Sequence, residues 1–533
     1  MENYRIGWGR EEISLDEPVS LPGQMYIRVS EGIMDPLYAT ALCIDNGRDA
    51  VIFCTLEIVV LRNHITDAIR EKIAELCSEL PLDKIIFNTT HTHSGIGVVQ
   101  TPEKTPDGRE IYPGEKAKAH VAERAAKAVA DAWKSRKEGG IAYGYSYATV
   151  AHSRRTCYYV DTSKRKLNYF APNGTSVMYG DTNDPDFSHF EAGTEAMVNL
   201  LFTTDKAGKL TGIVANIPCP SQICESMLVQ TADYWADIRE AVAGEYGKDI
   251  FVLPQCAAAG DLSPRTLYYR GAEARRMHLK YGIDYNMDGY VFAPELVGRK
   301  PLKGHPSEDF TRRALAVRKD IAERVMFAIR DACGWALKDV QYSGSIRHHS
   351  EVMQLTRREI TEQDAAFAEA SIAFAKSSMM TEGDPAEISH NNSRMTALIN
   401  RNVRALDTYH ALKEDPTYPT TVHMVQLGEI AFATTQFELY LDYMHRIQAR
   451  SPFIQTFVVE LAGCEDGSYL PTARGIAGRG YSASIYCNRV GSDAGREYVE
   501  RVLSVLQDFA GQKPVCISRD TNENQFDMPK EKK

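Results

Sequence analysis

The run KIIFNTTHTHSGIG, Lys84 to Gly97, passes from the β-forming Ile85, Ile86 and Phe87 into threonines and then into His91 and His93. Residues two apart in an extended chain point to one side, so both imidazoles stand at a strand end and face one place. With 14 histidines in the chain, an HxH pair arises by chance in roughly one such sequence in three, so context has to carry the reading. That context is a buried strand closing in Ser94 and Gly95, the kind of polar turn on which α/β proteins place working residues. A metal-binding or catalytic role for the pair and a purely structural one both remain open at this point.

The elements on either side extend the same pattern. Residues 49–61 read as a buried strand, 64–80 as an amphipathic helix, the KIIFNTT run as a strand and 114–136 as a long helix. Strand, helix, strand, helix implies a mixed α/β fold in layers. Further strands are expected at 208–218 and 248–260, helical periodicity over 305–335 and 357–414, and a hairpin over 420–440 turning at Gly428 and Glu429. A last helix covers 495–509. No linker or repeat interrupts the chain, so residues 1–515 are expected to form one catalytic unit, with a polar tail over 516–533.

At 533 residues the chain can bury a large core, and 44% hydrophobic with 25% charged residues is a globular composition. The net charge of −10 argues against nucleic acid as a partner and leaves room for a local basic pocket. No run of about eighteen apolar residues marks a membrane span. The polar start MENYRIGWGREEISLDEP lacks a signal-peptide pattern, and eleven scattered cysteines suit reduced thiols; a cytoplasmic enzyme is the expectation.

Three more β-rich runs stop in small or polar residues: FVLPQCAAAGDLSPR (251–265), FATTQFELY (432–440), and LAGCEDGSYLPTARGIAGRGYSAS (461–484). Together with THTHSG, with NIPCPSQ (216–222) after its strand, and with the opening RIGWGREEIS, they follow the order seen in the neutral/alkaline non-lysosomal ceramidase family. Over about residues 5–515 the chain resembles a divergent form of that family's catalytic domain. The resemblance implies layered mixed β-sheets flanked by helices, and a zinc-dependent amide hydrolase. By position it carries three metal ligands onto His91, Glu438 and Tyr469. The family's second ligand histidine falls on Cys219. Thiolate is a good zinc ligand, which would leave a less acidic metal-bound water; a small buried cysteine is the other reading.

His93 is expected beside the metal or the substrate, where an imidazole can shuttle a proton, or else as a turn cap. Arg154 and Arg155 fall where the resemblance implies an arginine that contacts the site; adjacent residues on a strand point opposite ways, so one is expected to serve the pocket and the other to face solvent, with Arg155 slightly favoured. Tyr481 is a candidate donor to an oxyanion. Ser263, before a proline and without a visible base, reads as a turn or pocket-lining residue rather than a nucleophile. His348 and His349 look like a solvated pair on a strand edge. The expected activity is attack on an amide or ester carbonyl by a zinc-activated water. The absence of a signal and of room for the family's C-terminal β-sandwich favours a small or conjugated soluble substrate over ceramide. A glycoside or lactone hydrolase and a non-catalytic binding protein are the alternatives, and a homo-oligomer is left open.

Overall fold

Alternating burial along the first strands explains how the chain layers. Ala39, Ala41 and Cys43 join one apolar cluster while Leu42 and Ile44 join another; Ile52 and Cys54 divide in the same way from Val51 and Phe53. A strand buried on both faces must be sandwiched. In the computed structural model, which describes residues 2–99, 101–105, 107–165, 169–170, 172–283, 308–463 and 468–511, an eight-stranded sheet fills that role. Its strands run across the sheet in the order Phe251–Cys256, Leu210–Ile217, Met197–Asp205, Lys137–Tyr147, Arg5–Glu12, Tyr38–Asp45, Ala50–Leu56, Ile85–Thr89. The two outermost pairs are parallel and the inner pairs antiparallel.

One face carries the helices Asn63–Leu76 and Gly114–Lys134, whose Ile65, Ile69, Val121 and Ala125 meet Ala41 and Cys54. Against the other face lies a four-stranded sheet, Ile346–Thr356, Thr417–Leu427, Ile430–Thr434 and Gln455–Val459. Val425, Phe432 and Phe457 pack there with Phe53, Ile86 and Leu253. The result is a mixed α/β architecture of two stacked sheets flanked by helices.

The expected elements appear within a few residues of their bounds, including the hairpin, whose turn places Gly428 at φ 59°. The expected tail over 516–533 lies outside the described residues. His348 departs from expectation. Its strand is at a sheet edge, but the 46–50 turn covers that edge: the His348 backbone N–H donates to the Asp49 carboxylate, and its ring packs on His423, Nε2 to Nδ1 2.9 Å. His348 is therefore buried, whereas His349 is partly exposed beside Glu351. Among the described residues no helix is long and apolar enough to cross a membrane.

Candidate functional site

The C-terminal ends of strands from both sheets gather in one region. Strand Ile85–Thr89 runs into the histidine loop, and an isolated bridge between Asn88 and Ala462 joins the two sheets just there. Strand Ile430–Thr434 leads to Glu438, which pairs directly with Tyr469 in a two-residue parallel bridge. His91, His93, Glu438, Tyr469 and Tyr481 line the same cavity, of about 220 Å³. A larger hollow of about 540 Å³ beside His152 and Tyr268 contains none of them, so the smaller cavity is the candidate site.

His91 takes the left-handed backbone conformation, φ 58°, uncommon for a side-chain-bearing residue and enriched at constrained sites. Its Nδ1 lies 2.9 Å from the Val59 carbonyl, which can only accept, so Nδ1 carries the proton and Nε2 keeps its lone pair. That Nε2 lies 3.6 Å from Glu438 Oε2 and 3.3 Å from His93 Nε2. Burial, then the neighbouring His93, pushes the His91 pKa down to about 3, which keeps the ring neutral.

Burial pushes Glu438 up to about 7, against the pull of the Arg154 charge and the Tyr469 hydroxyl. Behind it, Glu460 accepts from the backbone N–H groups of Leu439 and Ala259, and burial raises its pKa to about 8. Gly260 closes the arrangement: a Cβ at this position would sit 2.5 Å from the Glu438 carbonyl oxygen. Its N–H donates to Leu439 at 2.8 Å. The GDLSP stretch is thus a brace for Glu438, with Asp261 accepting from Leu441 N–H at the start of the helix Leu441–Arg450.

Both arginines are buried, and they divide the work differently from expectation. Arg154 donates to the Gly260 carbonyl at 2.7 Å, lies 3.7 Å from Glu438 Oε2 and stands over the Tyr469 ring. Arg155 instead makes a two-pronged pair with Glu191, both contacts 2.9 Å, beneath the glycine-rich loop. Neither faces solvent, because Glu191 supplies a buried partner that strand alternation could not reveal.

Cys219 is not brought to the others. Its Sγ lies 3.6 Å from the Val150 carbonyl and 3.7 Å from that of Pro220, fully buried in the apolar core, and burial raises its pKa far above the usual thiol range. The NIPCPSQ segment reaches the histidine loop through its next residues instead: Ser221 Oγ donates to the Thr90 carbonyl and Gln222 Nε2 lies 3.1 Å from His93 Nε2. Ser263 is also away from the cavity, fully buried, its Oγ accepting from Arg265 N–H in a turn. His93 Nδ1 lies 3.0 Å from Glu225 Oε2. Burial lowers the His93 pKa. It would raise that of Glu225, but His93 and Arg265 hold that carboxylate down to about 2.

No family model matches the chain. Among solved structures it is similar to the neutral ceramidase from Pseudomonas aeruginosa, at 14% identity, with 95% of this chain and 75% of that one covered and a TM-score of 0.61. A ceramidase complexed with C2 is similar at 12% identity over 96% and 76%, TM-score 0.58. The fold is ceramidase-like. Identities this low carry the fold and no more.

A zinc ion needs donors that fit it. Catalytic zinc centres use three protein donors and an open position, and His91, Glu438 and Tyr469 offer an imidazole, a carboxylate and a phenol from three distant segments. The His91 hydrogen bond to a backbone carbonyl is the usual orienting contact of a ligand imidazole. Cys219 lies elsewhere, and among the described residues no three His, Cys, Asp or Glu side chains stand assembled to hold a metal. The donors that meet are the His91 imidazole, the Glu438 carboxylate and the Tyr469 phenol, donor types that suit an open three-donor centre. Sequence reasoning missed Glu225, Glu460 and the cavity-lining Arg62, Arg401, Arg404 and Arg489. Only Arg401 and Arg404, three apart in a helical stretch, left a readable signal.

Proposed function

We propose that the protein is a zinc-dependent hydrolase of an amide or ester bond in a compact, water-soluble substrate. The observation that carries this reading is the meeting of His91, Glu438 and Tyr469 in one cavity; the ceramidase-like fold supports it. His91, Glu438 and Tyr469 would hold the metal. What zinc supplies when bound is Lewis acidity, which polarises a carbonyl and lowers the pKa of water to about 7.

The remaining steps fall to this chain's own side chains. Tyr481 accepts from Arg401 at 2.9 Å, which leaves its own hydroxyl proton to donate to a developing oxyanion in the cavity. Arg154 holds positive charge against Glu438 and Tyr469 and favours their ionised forms. His93, steadied by Glu225, is placed to hand a proton to a leaving nitrogen or oxygen. The cavity is smaller than the ~300–1,000 Å³ of typical drug-sized clefts, which suits a compact substrate over a two-chain lipid.

Cys219 in the core favours one other reading, a binding protein that kept the cavity without catalysis. A glycoside hydrolase has less support, since Glu438 is the one carboxylate among the described residues lining the cavity and that chemistry needs a facing pair. Assay of a panel of small N-acyl amides and esters, with Glu438→Gln as control, decides: turnover lost in the variant supports the hydrolase, and no turnover by the metal-loaded wild type contradicts it.

A further inference from the structure

The hollow beside His152 and Tyr268 has a volume of about 540 Å³, within the ~300–1,000 Å³ of clefts that hold small molecules. Separate segments wall it: the end of the strand Lys137–Tyr147, the turn after Ser263, and the helices Arg270–Tyr281 and Glu308–Ala336. Its rim is aromatic. Tyr147, Tyr269 and Phe327 line it while 60%, 76% and 65% exposed, so large rings gather in water at one place instead of scattering singly. Tyr268 among them is fixed, its ring edge-on to His152 at 5.6 Å and its hydroxyl 3.2 Å from His152 Nδ1. Tyr269 holds the left-handed backbone conformation, φ 55°, which is rare for a bulky side chain and clusters at ligand sites.

The polar part of the lining is rich in charge yet neutral as a whole. Arg276 makes two-pronged pairs with both Glu273 and Asp320, Lys280 bridges Asp320 and Glu323, and Arg324 lies 2.9 Å from Asp320. The cations Arg276, Lys280 and Arg324 thus face the carboxylates Glu273, Asp320 and Glu323. Arg265, the other charged lining residue, is matched by Glu225. An ionic occupant would meet no unmatched charge here. Paired guanidinium and carboxylate still offer N–H donors beside spare lone pairs. Burial, then the Arg324 charge, pushes the His152 pKa down to about 4, which leaves a neutral ring with one donor and one acceptor nitrogen. Such partners suit hydroxyl groups, which donate and accept at once.

From this lining we infer that the hollow is a binding site for a neutral sugar ring, whose C–H face lies against the exposed tyrosines while its hydroxyls meet Glu273, Arg276 and His152. A pyranose presents both an apolar face and a hydroxyl rim; a flat aromatic base lacks the rim. The site is separate from the zinc cavity, and the inference does not rest on the hydrolase reading.

Saturation-transfer NMR and calorimetric titration of the full chain with the methyl glycosides of glucose, galactose, mannose and N-acetylglucosamine test it, with glucuronate and adenosine as contrasts. At least one glycoside should bind saturably and more tightly than either contrast. Tyr269→Ala and Tyr147→Ala, each checked for a native circular-dichroism spectrum, should weaken that binding about fivefold or more, whereas Tyr269→Phe, which keeps the ring, should retain it. Glu438→Gln should bind as wild type does. Saturable binding of no glycoside, tighter binding of adenosine or glucuronate, or undiminished binding in both alanine variants would overturn the inference. So would loss of binding in Glu438→Gln, which would put the sugar in the other cavity.

Discussion

Glu438 and Tyr469 are direct partners across a two-residue parallel bridge, and His91 Nε2 lies 3.6 Å from the Glu438 carboxylate. Register therefore puts the carboxylate and the phenol on one side, while a different sheet delivers the imidazole. Gly260 lets the backbones approach closely enough for this. Gly260→Ala would press a Cβ to 2.5 Å from the Glu438 carbonyl oxygen, backbone that cannot swing aside. The expected result is a loss of about 1–3 kcal/mol in urea unfolding together with weaker zinc binding. A variant as stable as wild type would show that the segment does not brace Glu438.

Cys219 should be dispensable for metal. With its Sγ against the Val150 and Pro220 carbonyls, Cys219→Ala removes a small buried side chain and should cost about 1 kcal/mol of stability while zinc stoichiometry stays unchanged. Zinc lost from a folded Cys219→Ala protein would return the thiol to the ligand set.

Arg155 and Arg154 should separate cleanly. Arg155→Ala strands Glu191 in the core without its two-pronged partner and should destabilise by about 3–5 kcal/mol in denaturant titration. Arg154→Lys keeps a charge and should fold, with its defect in turnover. Equal stability losses in the two variants would contradict this division.

Acid should weaken the protein through the buried His348–His423 pair. Burial holds their pKa values down to about 4 and about 3. The unfolded imidazoles take up protons as pH falls through about 6.5, and the folded pair does not. Stability is thus fully present above that pH and falls below it, by up to about 1.4 kcal/mol per pH unit for each proton taken up only on unfolding. Denaturant midpoints measured from pH 7 to 4.5 should drop less steeply in His423→Gln; an unchanged slope would exclude the pair as a contributor.

Periodicity made the layers legible because strand and helix patterns are local: the KIIFNTT strand, the helix after Gly114 and the Gly428 turn lie where the sequence puts them. The histidine loop and Glu438 were legible because each ends a buried strand in polar residues. Cys219 misled, since position along a strand end says nothing of which way a side chain turns, and the next residues, Ser221 and Gln222, make the contacts with the loop. Glu191, Glu225 and Glu460 were hidden because their partners lie far away in sequence. The arginines of the cavity come from separate segments and form a cluster only in the folded chain.

Metal content measured by plasma mass spectrometry on the purified chain, beside His91→Ala, bears most directly on the proposed zinc centre. The account predicts about one zinc per wild-type chain after dialysis against zinc, and a native-folded His91→Ala protein that retains little. A wild type that binds no zinc, or a His91→Ala variant with the full wild-type content, would contradict it.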